Sequence, residues 1–541
     1  MKRFNQILAG LSLALFVTVG CESMLEVDSD RFITPDENYI NSPNDTIFSI
    51  AGVLTKLEKV AVRYVLLGEL RGDLMALTGD AGKHLRDIYN FEATVDNPYV
   101  DEADYYSIIN SCNYLINNID TSQIVNAKKV YYKEFAAAKA IRAWTYMQIA
   151  LNFKTAKYYE EPILTVKEAM VSYPEYTLEQ LAPILIADLA PYKDIEKPGM
   201  YAYVGFVSGD NLNFFPIRFI LGDLYLWTGQ YEKAAIEYRD LMFNNTCLVH
   251  YYISTWTVTN NVFVSRDIDW VSNFYTPNRE QMTVLSGSVL SSKGSVLDSL
   301  AMGTGEIIPS GAAIENWANQ KYYYSATVVN EKEGDLRGKY GTYYPKGSYY
   351  VDGTSSSSSD YTLKQWEENT IRKYLGMAGS TYYSVCVYRK SLLYLRYAEA
   401  VNRLGKPNLA FAVLKNGLNN LNIANPLVVP DSEKSSPLPS YMNFTDTRFD
   451  NNIGIHARGC GNTHLATEYV VPAKADLQDS ITAVEDLIIE ELALETAFEG
   501  NRFHDLIRVA MRRNDPSYLA NKVGTRNGDL NNPANWYLPK K

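Results

Sequence analysis

Apolar residues recur at spacings of three and four through most of the chain after Asp36, which predicts a mostly α-helical fold. In Tyr105–Ile119, the residues Ile108, Ile109, Cys112, Leu115, Ile116 and Ile119 fall on one stripe of a helix. Tyr132–Phe153 repeats the arrangement with Phe135, Ala138, Ile141, Ala143, Tyr146, Ile149 and Ala150. A further apolar face runs from Val484 to Phe498, and Gly500 supplies its stop.

The sharpest local pattern is Leu221-Gly222, Tyr225, Gly229, Tyr231, Ala234 and Tyr238. Those offsets are the tetratricopeptide pattern, in which small residues on one helix receive aromatics from its antiparallel neighbour. A weaker copy stands at Ala398, Val401, Gly405, Ala410 and Leu414, with Gly405-Lys406-Pro407 at the turn. Residues 131–153 read as half of another. The copies are too far apart for a simple array, so the expected architecture is tetratricopeptide-like helix pairs forming a superhelical scaffold, with long loop-rich excursions between them. The longest excursion covers about 251–361, is rich in Gly, Ser, Thr, Asn and Tyr, and includes the run Ser355–Ser359. It holds twelve of the 42 tyrosines, too mild an enrichment to mark a binding face by itself. Long loops on a rigid scaffold nevertheless commonly carry function.

The first twenty residues have the layout of an export signal, with Lys2 and Arg3 followed by an apolar run from Ile7 to Val19. The run ends at Thr18-Val19-Gly20-Cys21, where small residues precede a cysteine as in a lipobox, although Thr18 stands where Leu is usual. The expectation is a signal peptide over 1–20, a lipidated Cys21, an acidic tether over 21–35 (Glu22, Glu26, Asp28, Asp30) and a single domain over 36–541. A plain secretory signal is the alternative. No later stretch approaches the roughly 18 uninterrupted apolar residues of a membrane helix, so lipid is the expected membrane attachment. Loss of Lys2 and Arg3 moves the formal charge from −11 to −13, a sign that repels nucleic acid.

Cys112, Cys247, Cys386 and Cys460 are too widely spaced for a disulfide scaffold and read as buried thiols, with a single bridge as the alternative. Gly79-Asp80-Ala81-Gly82-Lys83-His84 lacks the glycine spacing and the Ser or Thr of a phosphate loop. His456, Cys460 and His464 could align on a helix as zinc ligands, but Gly459 and Gly461 oppose that helix and a fourth ligand is not evident. No Gly-x-Ser-x-Gly or His-Glu-x-x-His motif occurs, and no metal or cofactor is predicted. Glu499 with Arg502, and Asp505 with Arg508, stand three apart with opposite charge and read as structural pairs.

Several stretches resemble, in order, the SusD/RagB family of outer-membrane lipoproteins. They are Leu25-Glu26-Val27 with Ile33-Thr34, Arg71-Gly72-Asp73, Asn113-Tyr114-Leu115-Ile116, Lys139–Tyr146 with Arg142-Ala143, and Leu393–Asn402. The most specific is Glu490–Arg508, similar to the family's C-terminal Glu-Leu-Ala-Phe-Glu-Gly-x-Arg-Phe-x-Asp-Leu-x-Arg signature, followed by Trp536-Tyr537-Leu538-Pro539. The Gly-Asp-x-Pro turn usual after the Arg-Ala helix is reduced here to Glu161-Pro162. The resemblance implies a non-enzymatic lipoprotein on the outward face of the outer membrane. Its partner would be a SusC-like TonB-dependent β-barrel transporter and its usual cargo a glycan.

A sugar presents an apolar C–H face and a rim of hydroxyls, which suits a Tyr or Trp ring flanked by Asp, Asn and Arg. The candidate set is Asp73, Asp80, Arg86 and Tyr89 on the N-terminal side, with Trp270, Phe274, Tyr275, Trp317 and Tyr323 in the excursion. For each aromatic the competing role is packing within its own loop, and for Arg86 it is a salt bridge to Asp87 or Glu92. Glycan capture leads. A tetratricopeptide groove for peptides is the alternative, and a surface glycoside hydrolase is disfavoured by the missing catalytic motif.

Overall fold

The computed structural model describes residues 43–541 apart from 126–127, 130, 199–210, 250–253, 260–261, 269, 271–273, 275–279, 287–295, 326–327, 331–333, 353–361, 375–383, 461–463, 466–468, 525 and 527. Helices dominate, and every sheet among the described residues has two or three strands.

The N-terminal layer is built from α1 (Pro43–Glu69), α2 (Ala103–Asn118), α3 (Tyr132–Phe153) and α4 (Leu178–Leu189). α2 packs between α1 and α3, and α4 covers the other side of α3. Every residue of α3 from Ala136 to Phe153 is buried, so this helix lies inside the core rather than on its edge. Its buried cations need partners there. Arg142 Nη2 donates to Asp188 Oδ2 of α4 at 2.7 Å, its Nη1 to Asn113 Oδ1 of α2 at 2.8 Å, and Lys139 also reaches Asp188. The Lys-Ala-x-Arg-Ala stretch thus clamps three helices together.

α5 (Ile217–Trp227) and α6 (Tyr231–Asn244) form the tetratricopeptide-like pair that the sequence pattern predicts. A Cβ on Gly222 would lie 2.3 Å from the Tyr238 ring, so only glycine allows this approach. The Tyr238 hydroxyl then donates to Asp223 Oδ1 at 2.6 Å. After α7 (Gly311–Ala318) within the excursion, α8 (Lys390–Arg403) and α9 (Pro407–Lys415) make the second predicted pair. α8 also packs on α6 and on α10 (Leu477–Thr496), which is followed by α11 (Arg502–Arg513). α10 starts seven residues before the predicted Val484 because Asp476 caps it, accepting from the Asp479 amide at 2.8 Å.

The excursion is less detached than its composition implies. Two short strands within it each pair with a strand outside it. β1 (Met75–Leu77) pairs with β3 (Ile307–Pro309), and β2 (Gln281–Ser286) pairs with β4 (Ser384–Arg389), both antiparallel. Its turn at 334–338 enters a fully buried ionic lattice. Arg337 bonds Asp335, Glu491 and Glu495; Arg389 bonds Glu280, Glu495 and Glu499; Arg458 bonds Glu280 and Glu495; Lys373 bonds Glu499. Burial would push the Glu280 and Glu495 carboxyls up, but Arg458 and Arg389 hold both below the ordinary range. The Glu499–Arg502 pair expected from spacing does not form: Glu499 is claimed by this lattice, and Arg502 turns to Asp73. Asp505 and Arg508 do pair, at 2.9 Å.

All four cysteines beyond Cys21 are buried free thiols. No helix among the described residues is long and apolar enough to cross a membrane.

Candidate functional site

The loop after α1 is fixed from beneath by the C-terminal signature. Glu69 accepts from the amides of Phe498 (3.1 Å), Gly500 (2.7 Å) and Asn501 (3.1 Å), which form a tight turn with Gly500 at φ +89°. Full burial nevertheless raises the Glu69 carboxyl to about 7, outweighing those amide donors. Four residues on, both Asp73 oxygens accept from Arg502, at 2.6 and 2.8 Å. Burial opposes ionisation of Asp73, yet the Arg502 charge holds its carboxyl below the usual range. Asp73 is therefore a structural partner rather than a group held out to ligand. Tyr89 lies under the Arg526 guanidinium, 3.7 Å from its ring centroid, while Arg526 donates to the carbonyls of Leu70 and Gly72.

Above this base the 78–92 loop and its short helix Lys83–Tyr89 present Asp80 and Arg86, both exposed. Of the two acids that the sequence offered to Arg86, Asp87 pairs instead with Lys83 at 2.6 Å, one helical turn away. The structure brings this loop to the excursion. Besides the β1–β3 pairing, the Thr78 amide donates to the Glu306 carbonyl (3.1 Å), Thr78 Oγ1 to the Gly305 carbonyl (2.9 Å), and the Gly82 amide to Glu306 Oε2 (2.7 Å). Ser310 Oγ completes the seam by donating to the Asp73 carbonyl at 2.7 Å.

Two residues that sequence reasoning missed belong to this seam. Glu306 is half-buried and anchors the loop, and the half-buried Tyr99 has its hydroxyl shifted upward by burial and by the Glu306 charge. The Gly-flanked acid in Thr304-Gly305-Glu306 was the available signal for the first. Tyr99 carried none.

Trp270, Phe274 and Trp317 of the excursion do not form a platform. Trp270 is 0 % exposed, its Nε1 donates to Thr342 Oγ1 at 3.0 Å, and Arg458, Arg389 and Lys373 lie over its ring 5.1–5.5 Å from the centroid. Phe274 is buried edge-to-face against it. Trp317 is buried, donates to the Leu494 carbonyl at 3.1 Å and stacks on Tyr343. These three rings cover the ionic lattice and the α10 face, so packing wins over ligand contact. The Tyr323 backbone lies in a strand, Tyr322–Ser325, paired with His464 and Val329. Cys21 and Tyr275 lie outside the described residues. His456 sits 2.7 Å from Glu491 Oε2 and stacks on Tyr469, and no cluster of metal-ligating side chains occurs among the described residues.

The model of the SusD family matches residues 227–540. A SusD-like protein of Formosa agariphila is 20% identical over 534 residues, covering 94% of this chain and 92% of the relative. Among solved structures, the surface glycan-binding protein A of Bacteroides uniformis superposes with a TM-score of 0.56 at 16% identity, over 92% of this chain and 95% of the other. The protein of the same name from Bacteroides fluxus gives 0.55 at 15% identity, over 89% and 90%. The family match takes in more than half of the chain, including the α8–α9 pair and the Glu490–Arg508 signature, and the structural likeness extends the same helical fold to the N-terminal layer. This chain belongs to the SusD family.

Proposed function

We propose that this chain captures a glycan at the cell surface and passes it, without chemical turnover, to a SusC-like TonB-dependent β-barrel in the outer membrane. In this reading Cys21 carries the lipid and the residues to 35 form the tether. One observation carries it: two segments more than two hundred residues apart are sewn into one seam that offers two carboxylates, a guanidinium and a tyrosine, all exposed or half-buried. Asp80 and Glu306 can accept from sugar hydroxyls, Arg86 can donate to a vicinal pair, and Tyr99 can meet a C–H face. Family membership, and the glycan-binding names of two relatives of the same fold, support the class of cargo.

Calorimetric titration of the mature domain against neutral and anionic oligosaccharides and against peptides, with a product assay beside it, tests the reading. Binding to one oligosaccharide class, no released product, and a loss of about tenfold in affinity in Asp80→Ala/Arg86→Ala are expected. Peptide binding alone, or turnover, would reject it.

A further inference from the structure

A cleft of about 560 Å³ opens on the side of the N-terminal layer, and no residue of the seam lines it. Its volume lies in the range of small-ligand sites, about 300–1,000 Å³. One wall is a run of three tyrosines drawn from separate elements. Tyr106 of α2 stacks on Tyr159 with centroids 6.2 Å apart and planes 23° apart, and Tyr159 meets Tyr173 at 5.0 Å and 42°. Backbone bonds fix the rings in place: the Lys157 amide donates to the Tyr106 hydroxyl at 2.7 Å, and the Tyr173 hydroxyl donates to the Glu168 carbonyl at 3.1 Å. Tyr106 and Tyr173 are only half-buried, so parts of their rings remain open.

The rim is polar, with Asp101, Glu102, Lys157 and Glu175. Glu175 is already engaged by Lys540 and Thr155. Glu102 is different. Its Oε2 is closed off from solvent with no hydrogen-bond partner among the described residues, and burial raises its carboxyl. A buried acceptor without a donor is costly, and the broad terminal torsion of a glutamate lets a hydroxyl in the cleft reach either oxygen. Tyrosine faces beside a donor-hungry carboxylate match a ring with a C–H face and hydroxyl edge. Asp101, Glu102 and Glu175 are matched on the rim by Lys157, Lys541 and the neighbouring Lys540, so the cleft favours neither sign of charge and suits a neutral ring.

We infer that this tyrosine cleft is a second saccharide subsite, for a neutral pyranose unit, separate from the seam of residues 78–92 and 305–310. The assignment rests on the glycan-capture reading and adds to it a second hold on an extended chain, whose two ends would share effective concentration.

The test is amide hydrogen exchange of the mature domain with gluco-, xylo-, manno- and galacto-hexaoses, and with a hexauronate. Protection by a neutral hexaose of peptides covering 101–106 and 157–175, as well as 78–92 and 296–310, is the expected result. Glu102→Gln keeps the shape of the side chain, and Tyr173→Ala removes one ring at a half-buried position. Each should weaken that hexaose about fivefold or more and abolish protection at 101–106 and 157–175, with protection at 78–92 retained. Protection of the seam alone, or unchanged affinity in both variants, overturns the subsite and leaves glycan capture standing. Preference of the cleft for the hexauronate overturns its neutral specificity. No protection anywhere by any sugar rejects both readings.

Discussion

Arg389 is the best place to ask whether the ionic lattice fastens the excursion to the scaffold. Its guanidinium donates to Glu499 Oε2 (2.7 Å), Glu499 Oε1 (3.0 Å), Glu495 Oε1 (2.6 Å), Glu280 Oε2 (3.1 Å) and the Glu495 carbonyl (2.5 Å), all fully buried. The lattice sets Arg337, Lys373, Arg389 and Arg458 against Glu280, Asp335, Glu491, Glu495 and Glu499. Arg389→Met keeps most of the volume but leaves three buried carboxylates short of a partner. Breaking a buried pair from one side costs about 3–5 kcal/mol. An unfolding entropy near 2.1 cal/mol/K per residue over this chain gives about 1.1 kcal/mol/K, so Tm should fall by roughly 3–5 °C. Urea unfolding at pH 7 and calorimetry read these quantities. Lys346→Met, which breaks the exposed pair with Glu368, is the control and should cost under about 0.5 kcal/mol. Adding Glu499→Gln to Arg389→Met should recover part of the loss, because it removes one of the stranded charges. If Arg389→Met costs no more than Lys346→Met, the lattice is not what holds the excursion, and the reasoning fails.

Trp317→Ala should destabilise the fold by about 3–5 kcal/mol while leaving sugar affinity of the folded protein unchanged, read by urea unfolding and titration; weakened binding without instability would restore Trp317 as a ligand contact. Glu69 titrates at about 7 in the fold against 4.5 unfolded, so its contribution is full below pH 4.5 and is lost as pH rises through 7. That loss is about 3 kcal/mol at 1.36 kcal/mol per unit, and Glu69→Gln should flatten the stability difference between pH 5 and pH 8; an unaltered slope assigns it to another group. Glu280 and Glu495 carry the opposite sign: their carboxyls are depressed, so their contribution holds at neutral pH and fades in acid. Cys21→Ala should shift the protein from the membrane to the soluble fraction, and continued sedimentation with membranes would refute lipid anchoring there.

The helical scaffold was legible because its signals are local. Gly222 and Tyr238 mark a close helix contact by spacing alone, and Gly405-Lys406-Pro407 marks the turn between α8 and α9. Ring and charge roles were not, because they depend on partners far along the chain. Trp270 and Trp317 look the same in sequence whether they meet a sugar or, as here, Thr342 and Leu494. Arg502 has Glu499 three residues away, yet pairs with Asp73 across 429 residues. At the seam, exposed Asp80 and Arg86 could be picked by residue type, whereas Glu306 becomes visible only once β1 and β3 are paired.

The burial of Asp335, Arg337 and Arg389 bears on how proteins of this fold can diversify. A loop library grafted at the exposed Lys346-Gly347 turn should be tolerated, whereas a transplant that carries Lys373 or Arg389 without their glutamates would import a charge without its mates. Diversification is thereby steered to the short stretches that end in solvent, and two homologues can be expected to swap those stretches as cassettes while their interiors stay untradeable.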